Sequence, residues 1–189
     1  YLSSLNDVAT FEEFTGSAHE LFFTAYERLQ KDLEGAQCQQ LILGGHSLGG
    51  LLACHALKLD QFSNFKKLGI AVGFGMTDDD KTHLFATKFY EKTLNIRRQL
   101  VCPALDSDFM FPWIKAEKEK LGLSNHRIHL ITGLDDVVVG QMGMERFVEK
   151  LEQQGNTVSF EKPNKLPHHQ PELAAAHIYA FLKKEFSLS

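Results

Sequence analysis

The sequence predicts an α/β fold, a mostly parallel sheet with helices on both faces, built as a single domain. Three observations carry that prediction. Segments whose apolar residues recur every three or four positions alternate with short apolar runs of strand length. The helical segments close at glycines, at Gly35, Gly122 and Gly155. The 189 residues suit one domain with one core, and no repeat, low-complexity tract or Pro/Gly/Ser linker divides them. Helices between successive strands carry the chain back to the same end of the sheet, which makes the strands parallel.

In chain order, Phe11 to Leu33 is the first predicted helix, with Phe14, Ala18, Phe22, Ala25, Tyr26 and Leu29 on its apolar face. Gln39 to Leu43 is an apolar run that stops at Gly44-Gly45, too short for a helix and long enough for a buried strand. Leu48 to Leu59 follows as a helix, with small residues Gly49, Gly50 and Ala53 where it would lie on that strand. Lys67 to Gly73 is the next strand. Residues 76–118 are less regular and predict a lid or cap inserted over a site, ending in a helix from Lys115 to Leu121. Arg127 to Thr132 is a strand, Met142 to Gln153 a helix, and Thr157 to Glu161 a strand. Pro171 to Phe186 closes the chain as a helix, with proline at a tolerated first-turn position and Ala174, Ile178, Phe181 and Leu182 on one face.

Composition excludes several classes of function. Apolar residues make up 43% and charged residues 23%, near the soluble globular average and unlike disordered, collagenous or coiled-coil chains. The formal charge of −4, without a basic stripe, argues against nucleic-acid binding, because the phosphate attraction needs clustered Lys and Arg. No run approaches the ~20 apolar residues of a membrane-spanning helix. Cys38, Cys54 and Cys102 are too few and odd in number for a disulfide framework, which leans toward a reducing, cytoplasmic setting. The chain begins at Tyr1 rather than Met, so a part of a longer protein is expected.

The sharpest chemical signal is Gly45-His46-Ser47-Leu48-Gly49, a G-x-S-x-G sequence between a predicted strand and a predicted helix. A serine on so tight a turn has a strained backbone, and glycines must flank it so that the chain does not collide with itself. Its hydroxyl then projects at the carboxyl end of the strand, beside the positive end of the helix. Ser47 is therefore the candidate nucleophile. The backbone N–H of Leu48 is the candidate oxyanion donor, an interaction worth roughly 3 kcal/mol.

Serine needs a base within hydrogen-bond reach and a carboxylate to orient that base. After the strand ending at Thr132 come Gly133-Leu134-Asp135-Asp136, and after the next strand come Leu166-Pro167-His168-His169. Both stretches are loops at the carboxyl edge of a parallel sheet, where such sites lie.

The pieces GHSLGG (Gly45 to Gly50) and GLDDVVV (Gly133 to Val139), followed by a histidine ahead of a C-terminal helix, resemble the α/β-hydrolase fold family. They are most similar to its small carboxylesterases, lipases and thioesterases. The resemblance runs from about Phe11 to the end, and the three motifs in order are far more specific than any one. It implies a serine hydrolase that cleaves a carboxylic ester or thioester through an acyl-enzyme. Ser47 is then the nucleophile, and Asp136, at the D of a GxxDxxV pattern, is the acid. The base falls on His168 or His169; His168 is preferred because it lies farther from the helix start. A small-molecule ester, thioester or lipid is the implied substrate, with no metal or organic cofactor. Acyl transfer by the same residues, or a hydrolase-like module that only binds, are the alternatives.

The chain departs from the family pattern in two places. Three or four strands normally precede the serine turn, whereas here 46 residues precede Ser47 and most read as one helix. The N-terminal strands are therefore expected to be missing from this chain, and the sheet edge to pair with that missing portion or with another chain; the resemblance assigns no residue here as the second oxyanion donor. Gly140 stands where many relatives have proline.

The other candidates read as structural. His46, the variable residue of the serine motif, is expected to pack or bond locally, and Asp135 to cap or stay solvated. His126 and His129, three apart on a strand, do not share a face for a metal. His19, His55 and His177 lie in helices, Cys54 reads as a small buried side chain, and Asp78 to Asp80 as a solvated turn. Phe85, Phe89, Tyr90, Phe109, Phe111 and Trp113 either line an acyl pocket or pack the core.

Overall fold

The computed structural model describes residues 11–32, 39–74, 106, 113–114, 116–139 and 144–187. Most of the expected lid, with Phe85, Phe89, Tyr90, Phe109, Phe111 and the acidic turn at 78–80, lies outside these residues, as do Cys38 and Cys102.

Four parallel strands form one sheet in the order β1-β2-β3-β4 among the described residues: β1 Gln40–His46, β2 Lys66–Val72, β3 Arg127–Ile131 and β4 Thr157–Glu161. Gln40 pairs with Lys66, Leu68 with Arg127 and Arg127 with Thr157. The helices are α1 Phe11–Asp32, α2 Leu48–Ala56, α3 Met144–Gln153 and α4 Ala175–Phe186. None of the described helices is long and apolar enough to cross a membrane.

Alternation along each strand divides the sheet into two faces. Leu41 and Leu43 of β1, Ala71 of β2, and Ile128 and Leu130 of β3 point toward α2 and α3 and form the main core with Leu51, Ala53, Cys54, Phe147 and Leu151. Each fully buried leucine here, such as Leu51, contributes about 2 kcal/mol of transfer free energy. Small residues let α2 sit low on the sheet: Gly50, Leu51, Ala53, Cys54 and Ala56 are its buried positions. α1 borders this core through Tyr26, whose ring meets Phe62 and Phe65 edge-on at 5.1 and 6.1 Å. The side chains of Phe14, Ala18, Phe22 and Leu29 on its expected apolar face lie outside the described ones.

On the opposite face, Val72 and Ile131 join Leu166, Ala174 and Ile178 in a smaller cluster under α4. Next to it an apolar cleft of about 270 Å³ opens between Ile42 and Ile70 of the strands and Ile178 and Leu182 of α4. Ile42 is 42% exposed there.

Expected and observed elements differ at their ends. The helix expected to reach Leu59 stops at Ala56, and a 3₁₀ turn at Asp60–Phe62 buries Phe62 before β2. The last helix starts as a 3₁₀ turn at Pro171–Ala174, with the proline in its first turn. Trp113 and Ile114, at the end of the expected lid, pack against the main core. α3 buries Met144, Phe147 and Leu151 at helical spacing and ends at Gly155, whose φ of 85° suits glycine.

Candidate active site

Each of the four described strands delivers a loop of the candidate site at its carboxyl end. β1 leads into Ser47, β2 into Gly73, β3 into Asp136 and β4 into His168. Parallel pairing puts these ends on one rim, which is how residues 121 apart in sequence come to share a hydrogen bond.

Ser47 occupies the turn between β1 and α2 with φ 55° and ψ −119°, a region that residues with a Cβ rarely adopt. Its own hydrogen bonds hold it there: its N–H donates to the Val72 carbonyl at 2.8 Å, and its carbonyl accepts from Gly50 at 2.9 Å. The turn also requires Gly45, because a Cβ at that position would lie 2.1 Å from the Gly49 carbonyl oxygen. The N–H groups of Leu48 and Gly49 open α2 directly after Ser47 and have no carbonyl of the helix ahead of them to meet.

Ser47 Oγ lies 3.0 Å from His168 Nε2, and His168 Nδ1 lies 2.9 Å from Asp136 Oδ2. With the tautomer that this network favours, Ser47 donates to Nε2 and Nδ1–H donates to the carboxylate. The Asp136 side chain is 2% exposed, whereas that of His168 is 17% exposed and reaches solvent. The second carboxylate oxygen, Oδ1, accepts from the N–H groups of Val138 and Val139 at 3.0 Å each. Both Asp136 oxygens thus have donors, which a buried carboxylate requires.

Of the two adjacent histidines, His168 meets Ser47 and Asp136, and His169 is exposed. Asp135 takes a different part from its neighbour: its Oδ1 accepts from the Leu166 N–H at 2.9 Å and so ties the two loops together. The sequence predicts only local packing for His46 and no part for Gly73, yet both lie at the site. His46 packs its ring 4.6 Å from that of His168, and its Nε2 is buried with no hydrogen-bond partner. Burial chiefly, and then the neighbouring His168, hold His46 below the ordinary histidine value, with Asp136 opposing. Gly73 has φ 54° and lies under the array. A glycine closing an apolar strand is the signal that would have pointed to it.

Three other described histidines make contacts elsewhere. His55 faces Glu117 at 3.6 Å, and His177 bonds Glu161. His129 is buried, bonds Ser159 Oγ at 2.7 Å and stacks on Phe181 of α4. Cys54 is buried in α2, where burial pushes its thiol up to about 12, so it stays a protonated, unreactive side chain.

The sequence matches no family model and no curated protein. Solved structures do match in fold. An esterase of Pyrococcus furiosus superposes with a TM-score of 0.57 at 19% identity, covering 83% of this chain and 58% of that one. A sugar hydrolase from Lactococcus lactis gives a TM-score of 0.55 at 14% identity, with 87% and 59% covered. A monoacylglycerol lipase of Paleococcus ferrophilus gives 0.51 at 15% identity, with 92% and 75% covered. The chain therefore spans about three-fifths of the length of the first two of these.

Proposed function

Because this chain has the α/β-hydrolase fold of those structures, we propose that it is a serine hydrolase acting on a carboxylic ester or thioester. The observation that carries the reading is the continuous line from Ser47 Oγ through His168 to Asp136, with links of 3.0 and 2.9 Å. Fold likeness supports the scaffold, and this line supports the chemistry.

In the mechanism, His168 Nε2 takes the Ser47 proton as Oγ bonds to the acyl carbon, and the carbonyl electron pair moves onto its oxygen. The Leu48 N–H faces that developing negative charge. Collapse expels the alkoxide or thiolate, which leaves with the proton held on His168. Water then repeats the sequence on the acyl-enzyme, with His168 as base, and releases the acid. Asp136 fixes the imidazole tautomer and supports the imidazolium while it carries the proton.

A fluorophosphonate probe tests the reading. The folded protein is expected to be labelled at Ser47, with labelling lost in Ser47→Ala and p-nitrophenyl ester hydrolysis lost with it. A folded protein that is not labelled is a binding module on a hydrolase scaffold, and the reading falls. Partitioning of product between water and an added alcohol would mark acyl transfer instead.

A further inference from the structure

Three polar atoms, one from the end of β1 and two from separate loops, converge above Gly73. The position that a Cβ on Gly73 would take lies 3.1 Å from Asp136 Oδ2, 3.1 Å from His168 Nδ1 and 3.2 Å from His46 Nε2. Glycine leaves this corner empty of side chain, and its φ of 54° turns the backbone out of the way. Two of the three atoms are hydrogen-bonded to each other. The third, His46 Nε2, is buried and has no partner.

An unpaired nitrogen buried in a protein costs free energy, and a phenyl or leucyl group would fill the same space without that cost. Packing alone therefore does not account for an imidazole at position 46. The groups that face the ring are few. Asp136 comes from the loop after β3, His168 meets it from the loop after β4 with both its ring and its backbone, and Val72, Gly73 and Pro171 add no charge. Burial keeps the His46 ring neutral at neutral pH, so it acts through a dipole and not through a positive charge.

We propose that His46 is a positioning residue for the Ser47–His168–Asp136 array, its Nε2–H turned toward the Asp136 carboxylate so that the carboxylate is shared between two imidazoles. This rests on the hydrolase reading above. A shared carboxylate grips the His168 imidazolium less tightly, so the base releases its proton more readily to the leaving group. It also keeps the carboxylate oxygen in place while the His168 ring moves between Ser47 and the leaving group.

The test is the pH dependence of Ser47 phosphonylation by a fluorophosphonate in the full-length protein, alongside His46→Phe and His46→Gln. Phenylalanine keeps a ring against His168 and removes the N–H, whereas the glutamine amide keeps a donor. His46→Phe is expected to move the acid limb of the rate profile upward by about half a pH unit, since the carboxylate then holds His168 alone. His46→Gln is expected to stay nearer the parent profile. An unshifted His46→Phe, a shift to lower pH, or equal shifts in both variants overturns the proposal.

A histidine-resolved NMR titration of the parent protein is a second arm that needs no variant. The His46 ring signals should register the titration of His168, and signals that do not respond overturn the proposal. If the parent is not phosphonylated at all, the hydrolase reading fails, and the NMR arm still decides whether the two imidazoles are coupled.

Discussion

Asp135 and Leu166 stand 31 residues apart, and a hydrogen bond from the Leu166 N–H to Asp135 Oδ1 at 2.9 Å ties the loop carrying Asp136 to the loop carrying His168. A second link runs beside it, from the Leu134 N–H to the Pro163 carbonyl at 3.0 Å. Asp136 and His168 are thus held in mutual register by residues next to them in the chain. Asp135→Ala removes the acceptor and leaves a buried N–H unpaired, a cost of about 1–2 kcal/mol. The expected result is about tenfold lower kcat/KM for an activated ester, because misplaced groups lose rate steeply. Asp135→Asn keeps an acceptor oxygen and should recover most of it. Equal rates for parent and alanine variant would remove the tether from the account.

Asp136 answers differently to the same change. Its Oδ1 is engaged by Val138 and Val139 and its Oδ2 by His168, so Asp136→Asn preserves the shape while offering an amide N–H where a lone pair is needed. The imidazole is then held in the wrong tautomer, and kcat should fall by roughly 10³–10⁴ with KM little changed. The pair of substitutions separates the two roles: at position 135 asparagine rescues, and at position 136 it does not. Steady-state kinetics on a p-nitrophenyl ester with both variants checks this.

The strands and the serine turn were legible because their signals are local. Gln39 to Leu43 is apolar and ends in glycine, and the collision between Gly45 and Gly49 is set within five residues. The carboxyl-edge placement of Asp136 and His168 was legible because a parallel sheet fixes which ends share a rim. The choice between His168 and His169 was not, since it turns on which way one side chain of a loop points. His46 and Asp135 were opaque for the same reason. Their partners, His168 and Leu166, are brought near by loop closure and not by any periodicity. α2 ends at Ala56, short of the expected Leu59, because Leu57 and Phe62 satisfy the same core through a turn.

Gly45 is the position where a single methyl group should undo the turn. An added Cβ would lie 2.1 Å from the Gly49 carbonyl oxygen and 2.2 Å from its carbon, both backbone atoms that no rotamer change can move. Gly45→Ala must therefore open the turn that presents Ser47, at a cost of about 3 kcal/mol or more. A large drop in Tm together with loss of fluorophosphonate labelling is expected. A variant with parent stability would show that the turn relaxes more easily than its hydrogen bonds suggest.

His129 makes the stability of the fold depend on pH. Its ring lies flat on Phe181 of α4 at 3.7 Å, and burial chiefly, against the opposing pull of Glu161, holds it below the ordinary histidine value of 6.5. The unfolded chain protonates this ring near that ordinary value, while the folded protein resists until lower pH. Between the two values the unfolded state binds more protons, so stability is full above about pH 6.5 and falls as the pH drops below it. Each unit of lowering contributes about 1.4 kcal/mol to that loss. His46, also lowered mainly by burial, adds in the same direction. His129→Phe keeps the stack on α4 and removes the proton site, so its urea midpoint should fall less steeply than that of the parent between pH 6.5 and 5. Parallel curves would mean that the acid sensitivity lies elsewhere in the fold.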